Sequence, residues 1–224
     1  MKRHNYDHLN PVILDKFKKT FRKRVFRLVY EGYVRLSKQG KDYVKMIEEG
    51  ISHDLAEEIE NFLEGDKSPR WVEKFSVQCE RPISPHGEIG RKRPRLDIHI
   101  RSGEKPICPK FVFEAKRLRH DGTEPTDYFG DEGMKCFWNE TGYPVNVFHE
   151  AGMLAYVQDK DVAHWTDWLK KHLEKRRNSL HVCKGTDWEP AVQIKELQHT
   201  FCTRHLPNDK GELTVVFHLL LLFC

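Results

Sequence analysis

Two short stretches with alternating apolar and polar residues constrain the fold of this chain more than any other feature. They span residues 95–101 and 110–116. Side chains of a strand alternate between its two faces, so each stretch predicts a half-buried β-strand. The connection at 102–109 contains Gly103 and two prolines, which favours a hairpin. The apolar positions are Leu96, Ile98 and Ile100 in the first stretch and Phe111, Phe113 and Ala115 in the second.

Three charged residues occupy the opposite face of these predicted strands. Asp97 lies in the first stretch, and Glu114 and Lys116 lie in the second. Residues two apart on a strand point the same way, roughly 6–7 Å apart, and pairing as a hairpin would place Asp97 beside Glu114. Two carboxylates suit a hard cation such as Mg²⁺, and a nearby ammonium group can orient a water or stabilise a phosphodiester transition state. The pattern therefore predicts a metal-assisted hydrolytic centre.

The remaining pattern mixes helices and strands, which indicates an α/β architecture. The stretch 213–223 is apolar on both faces, as expected of a central, fully covered strand. Trp165 and Trp168 are expected in the core rather than in a base-stacking platform. We predict helices at 11–37, 52–63 and 161–177, short helices at 131–139 and 150–158, and further strands at 71–79, 180–183 and 194–203.

The composition agrees with a globular protein, because 38% of the residues are hydrophobic and 32% are charged. The net charge is only +4, but residues 16–27 contain seven Lys or Arg. A basic helix face is often merely solvated; the alternative is a helix that follows DNA phosphates through Lys18, Lys19, Arg22 and Lys23. The polar N-terminus lacks the apolar core of a signal peptide and the apolar stretch 213–224 is short for a bilayer, so we expect no membrane association.

Six dispersed cysteines predict reduced thiols and a cytoplasmic protein. His181, Cys183, Cys202 and His205 offer an alternative, since zinc accepts two Cys and two His. Single cysteines in strands are more often buried apolar residues. We therefore expect no zinc site.

The segments Pro94-Arg95-Leu96-Asp97 and Phe113-Glu114-Ala115-Lys116 resemble the signature of the PD-(D/E)XK superfamily of restriction-endonuclease-like enzymes. Pro94 stands three positions before Asp97, so the Pro-Asp dipeptide is not literal. The resemblance implies a mixed β-sheet flanked by helices, with a nuclease domain at 46–224 after a basic helical segment at 1–45. It also implies Mg²⁺ or Mn²⁺ held by Asp97, Glu114 and the main-chain carbonyl of Ala115. A Glu from a preceding helix often completes such sites; the candidates are Glu48, Glu49, Glu57 and Glu58, of which we favour Glu49.

The resemblance implies an endonuclease that hydrolyses DNA, in restriction or defence against phage. A defence-system partner protein would suit that setting, and such nucleases often dimerise to cut both strands. The alternatives are an inactive nuclease-fold module that binds nucleic acid or protein, and an RNase with the same centre. The sequence does not reveal base specificity.

Overall fold

The computed structural model describes residues 10–82, 95–105, 107–120, 125–138, 148–207 and 213–224, with the side chains of 81, 125 and 126 excepted. The helices are α1 (Pro11–Leu36), α2 (Glu48–Leu63), α3 (Pro125–Phe129) and α4 (Val162–Lys175), with short 3-10 helices at Arg70–Lys74 and Met134–Phe137. The strands are β1 (Phe75–Pro82), β2 (Arg95–Ser102), β3 (Lys110–Leu118), β4 (Glu150–Val157), β5 (Glu189–Pro190), β6 (Thr200–His205) and β7 (Thr214–Leu222).

These strands form one mixed sheet in the order β1-β2-β3-β4-β7-β6-β5. The pairs β3/β4 and β4/β7 are parallel, and the others are antiparallel. The predicted hairpin is confirmed, since Ile98 pairs with Phe113 and Arg101 with Lys110. The central position of the last strand is also confirmed, because β7 lies between β4 and β6. The α/β class follows directly from this architecture.

Each face of the sheet carries its own hydrophobic core. Helices α1 and α2 cover the face that includes Phe111, Phe113 and Ala115. The other face includes Val112 and Leu118 and packs against α3 and α4. The alternation of β3 between the two cores is the one that the sequence predicts.

Helix α1 begins where the sequence provides a cap. The side chain of Asn10 accepts a hydrogen bond from the backbone N–H of Val12 at 2.9 Å, and Pro11 occupies the first helical position. Its inner face, which includes Phe21, Val25 and Leu28, is fully buried in the same core as the sheet. The domain boundary near residue 45 stays a prediction, although α1 shares this core.

Four predictions of local structure were wrong in whole or in part. The strand predicted at 194–203 begins only at Thr200, as β6. Residues 150–158 were predicted as a helix, but they form the strand β4. All eight residues of β4 are buried, so its sequence lacks the alternation of apolar and polar residues that identifies a strand. Of the predicted helix at 131–139, only the 3-10 turn Met134–Phe137 forms among its described residues. The predicted strand at 180–183 is reduced to an isolated bridge between Val182 and His205.

All six cysteines are free thiols. None of the described helices combines the length and the apolar character needed to cross a bilayer.

Candidate active site

Asp97 lies where strand β2 separates from its neighbours. Pairing of β2 with β3 ends at Ile98, and the pairing with β1 skips the position where Asp97 faces Glu80. Glu80 has a left-handed backbone with φ 46°, which is uncommon for a residue other than glycine. Asp97 Oδ2 instead accepts a hydrogen bond from the backbone N–H of Ala115 at 2.7 Å. The Asp97 carboxylate thus takes the place of a missing ladder partner.

A second carboxylate accepts a hydrogen bond from the backbone of β3 on the same edge. Glu48, at the first position of α2, accepts a hydrogen bond from the backbone N–H of Arg117 at 2.9 Å. Alternate residues of a strand direct their N–H and C=O groups toward the same neighbour. The backbone N–H groups of Ala115 and Arg117 therefore point toward the side of β3 where β2 no longer pairs with it. The carbonyl of Ala115 points toward the same side. Its predicted role as a metal ligand stays a prediction.

Lys116 connects the carboxyl groups of the site. Its Nζ lies 2.9 Å from Glu48 Oε1 and 2.9 Å from Glu114 Oε1. Burial lowers the pKa of Lys116, but the charges of Glu114 and Glu48 outweigh burial and raise it above the ordinary value. Lys116 is therefore a firmly protonated cation between two acids.

Two acids of the cluster, Asp97 and Glu114, resist ionisation. Burial raises the pKa of Asp97 to about 6, although the Ala115 amide and Lys116 oppose the change. Burial and then the negative charge of Asp97 raise the pKa of Glu114 well above its ordinary value. Three carboxyl groups share one ammonium group, so the cluster is short of positive charge. Such perturbed groups concentrate at functional sites.

The residues present fit a hard divalent cation. Glu114 is 6% exposed, and its Oε2 atom is buried without a hydrogen-bond partner in the described part of the chain. A buried carboxylate oxygen needs a hydrogen bond or a cation. Carboxylate and carbonyl oxygens are the ligands that Mg²⁺ and Mn²⁺ favour. The side chains of Asp97 and Glu114 contact each other. As a group of three, however, Asp97, Glu114 and Glu48 do not have all their ligand oxygens within 4.8 Å of one another; among the described residues only His53, Asp54 and Glu57 form such a group, on the surface.

The helix glutamate of this cluster is Glu48, which corrects the choice of Glu49. Glu49 is exposed, whereas Glu48 is partly buried and bound to Lys116. The sequence contained a sign that Glu48 faces the sheet. It lies four residues before Ser52 and seven before Leu55, a spacing that places all three on one face of a helix. Ser52 and Leu55 lie on the buried face of α2.

The predicted DNA-binding residues of α1 divide into two groups. Lys18 and Arg22 form ion pairs with Glu150, which is 1% exposed. Both therefore already pair with a carboxylate inside the fold, and phosphate binding by Lys18, Lys19, Arg22 and Lys23 stays a prediction. Lys19 and Lys23 are exposed, although Lys19 pairs with Asp15 at 2.7 Å.

The zinc alternative does not agree with the structure. Both ring nitrogens of His205 are hydrogen-bonded, one to the carbonyl of Leu180 at 2.7 Å and one to the hydroxyl of Thr203 at 2.7 Å. Cys202 packs in the core on the α1 side of the sheet. The four residues therefore do not form a common site.

Comparisons with protein-family models, with curated proteins and with solved structures found no match to this chain.

Proposed function

We propose that the chain is a metal-dependent nuclease with Asp97, Glu114, Lys116 and Glu48 at its centre. The observation that carries this proposal is the cluster of one buried acid, Glu114, and two partly buried acids, Asp97 and Glu48, near one lysine, in which Glu114 Oε2 lacks a partner among the described residues. An excess of buried carboxylates is costly unless a cation compensates it. The proposal includes the finer identity of the fold, a restriction-endonuclease-like core.

Asp97 and Glu114 would hold Mg²⁺ or Mn²⁺, with the main-chain carbonyl of Ala115 as a further ligand. When bound, the ion would lower the pKa of a coordinated water and neutralise charge on a phosphodiester. Lys116 keeps its proton between Glu114 and Glu48, so it can donate a hydrogen bond to the attacking water or to a phosphate oxygen. The Ala115 amide holds Asp97 in a fixed orientation.

The substrate in this proposal is DNA, and the restriction or anti-phage setting, the partner protein and the homodimer stay predictions. Two alternatives also remain. An inactive module would have little use for a complete set of acids and lysine, which disfavours it. An RNase with the same centre differs in substrate alone.

A cleavage assay tests the proposal. The protein is incubated with supercoiled, linear and single-stranded DNA and with RNA, in Mg²⁺, in Mn²⁺ or in EDTA. We expect cleavage of DNA that EDTA abolishes, and a loss of at least about 100-fold in Asp97→Asn and in Lys116→Ala. Asn retains an acceptor for the Ala115 amide, so Asp97→Asn keeps the local fold.

Asp66→Asn is the matched control, since Asp66 is exposed and lies outside the cluster. Its cleavage rate should equal that of the unmodified chain. Calorimetric titration with Mn²⁺ adds a readout that does not depend on activity, and Asp97→Asn should weaken this binding. Folded protein that cuts none of the substrates in either metal, or variants that cut at the normal rate, would refute the proposal.

A further inference from the structure

Helix α4 exposes aromatic and basic side chains along one flank, which we call the α4 stripe: His164, Trp168, Lys171, His172 and Lys175. Successive helical residues are rotated by about 100°, so residues three, four and seven apart share one side. His164, Lys171 and Lys175 are exposed, and Trp168 and His172 are partly exposed. Trp165, which was expected in the core, is buried at 2% exposure. Trp168 differs from that expectation, because part of its ring reaches the surface.

The aromatic members of the α4 stripe are held in place by their neighbours. The rings of Trp168 and His172 lie 4.1 Å apart between centroids, and His172 Nδ1 is 2.7 Å from the Trp168 carbonyl. Trp165 contacts Trp168 from the core side at 5.5 Å. A ring that is already fixed loses little conformational entropy when a ligand stacks on it.

The charge of the α4 stripe is positive. Lys171 and Lys175 are its basic members. The helix cap Asp161 already accepts a hydrogen bond from the backbone N–H of His164 at 2.7 Å. Lys171 also borders a surface groove of mixed charge, which Asp167, Lys170 and Glu174 line as well, and in which Arg177 pairs with Glu174 at 2.8 Å. Positive charge beside aromatic rings is the combination that binds a nucleic-acid strand.

The α4 stripe begins near the candidate active site. The N–H of the Trp165 ring donates to the carbonyl of Asp159 at 2.8 Å, and Asp159 Oδ2 accepts from the backbone of His120 at 2.8 Å. His120 comes two residues after Leu118, the last residue of β3. Lys116 comes two residues before Leu118, which corresponds to about 7 Å along the strand. Leu118 and Trp165 share one hydrophobic core. The first turn of α4 is thus fixed to the end of the strand that carries Glu114 and Lys116.

We propose that the α4 stripe binds the unpaired nucleotides of a nucleic-acid strand whose phosphodiester lies at the Glu114–Lys116 site. This inference rests on the proposed nuclease function and adds a substrate class, single-stranded nucleic acid or a single-stranded end. Trp168 stacks on a base, and Lys171 and Lys175 contact phosphates. In a duplex the faces of the bases are covered by their neighbours, so an aromatic ring gains little there.

Binding to labelled oligothymidylate, oligouridylate and a duplex of equal length tests this inference, with Asp97→Asn as the background so that no strand is cut. Trp168→Ala should weaken binding of the single strand by about 5- to 150-fold, while Trp168→Phe keeps most of the affinity. Lys171→Gln and Lys175→Gln should each lower the salt slope by about 0.7. Lys67→Gln, at an exposed position outside α4, is the matched control and should leave the affinity for the single strand unchanged. The two single strands identify DNA or RNA as the ligand.

The outcomes separate this inference from the proposed function. A chain that binds single strands through Trp168 but cuts no nucleic acid supports the stripe and refutes the nuclease. A chain that cuts DNA while Trp168→Ala and the two lysine variants bind single strands normally, or that prefers duplex, overturns the stripe alone. Trp168 also packs on the core, so thermal melting accompanies each variant, and the exposed lysines keep the test decisive if Trp168→Ala does not fold.

Discussion

Glu48 and Lys116 connect the start of helix α2 to strand β3 through a hydrogen bond of 2.9 Å between Oε1 and Nζ. The second oxygen of Glu48 accepts from the backbone of Arg117 at 2.9 Å. One carboxylate therefore fixes both the lysine side chain and the strand edge next to Asp97. The first turn of a helix also carries a partial positive charge, which favours a carboxylate there.

Exchange of Glu48 for Gln should lower DNA cleavage by about 10- to 100-fold, because Lys116 loses one of the two carboxylates that hold it. Glu49→Gln is the matched control, since it removes the same charge one residue away at an exposed position. Initial rates on supercoiled plasmid under saturating Mg²⁺ measure both variants. Equal losses in the two variants would show a general effect of charge at the helix start, and a loss confined to Glu49→Gln would reinstate Glu49.

Gly152→Ala should unfold or strongly destabilise the chain. Gly152 lies on β4 beside Phe113, and a Cβ atom built there would come within 2.3 Å of the Phe113 ring. That ring is confined by Phe111 at 4.9 Å between centroids, so it cannot simply move away. Overpacking of this kind costs about 1–3 kcal/mol or more. Urea unfolding measures the loss, and Ala155→Gly, which makes the opposite exchange on the same strand, should cost less than about 2 kcal/mol.

Comparison of β3 with β4 shows which strands the sequence could predict. In β3 the apolar residues alternate with Glu114 and Lys116, and this period of two identifies a strand. Strand β4 is buried on both faces and contains Ala, Met and Leu, which favour helices in isolation. Its conformation is set by the parallel strands β3 and β7 on either side, and that tertiary context is not visible in a local pattern.

The same distinction applies to the functional residues. Glu114 and Lys116 could be found because their faces follow from strand periodicity. Leu96 and Ile98, predicted on one face of β2, pack in different cores, so the alternation of β2 breaks at Asp97 and its orientation does not follow from the pattern. The division of the α1 lysines and arginines could not be found, because it depends on Glu150, which lies 128 residues after Arg22 in the chain. A basic helix face looks the same in sequence whether its partner is a phosphate or a buried carboxylate.

Arg22→Gln should destabilise the fold by about 3 kcal/mol, because it removes one of the two cations, Arg22 and Lys18, that pair with the buried Glu150 carboxylate. Lys23→Gln removes the same charge from an exposed neighbour and should change the free energy of unfolding by less than about 0.5 kcal/mol. Chemical denaturation of the two variants gives the comparison. Equal stability of both would mean that the ion pair with Glu150 is not needed for folding.

A chain of buried hydrogen bonds crosses the sheet face that packs against α3 and α4. Since the Leu180 carbonyl only accepts, His205 Nδ1 carries the proton, and His205 Nε2 accepts from the hydroxyl of Thr203 at 2.7 Å. Thr203 then accepts from His218 Nε2 at 2.9 Å, and His218 Nδ1 accepts from the hydroxyl of Tyr128 at 2.9 Å. This direction of donation is the one that two neutral imidazoles give, and burial favours the neutral form of both by lowering their pKa values.

The neutral state of these histidines makes stability depend on pH. Burial lowers the pKa of His205 to about 4, with a smaller contribution from His181, and burial lowers that of His218 well below its ordinary value. A base with a lowered folded-state pKa stabilises the fold above its unfolded pKa of about 6.5, and this contribution is lost as the pH falls from there toward 4. The protonation of His205 alone should therefore lower the free energy of unfolding by about 2 kcal/mol between pH 7 and pH 5.

The measurement is urea unfolding at pH 7 and pH 5 for the unmodified chain, His205→Gln and the exposed control His53→Gln. The raised pKa values of Asp97 and Glu114 act in the opposite sense, since protonation of these acids stabilises the fold as the pH falls. The difference between variants, rather than the slope of one protein, therefore isolates the imidazole. His205→Gln should be less stable at pH 7 but lose about 2 kcal/mol less on acidification, and His53→Gln should follow the unmodified chain. An unchanged loss in His205→Gln would mean that this imidazole is not held neutral by the fold.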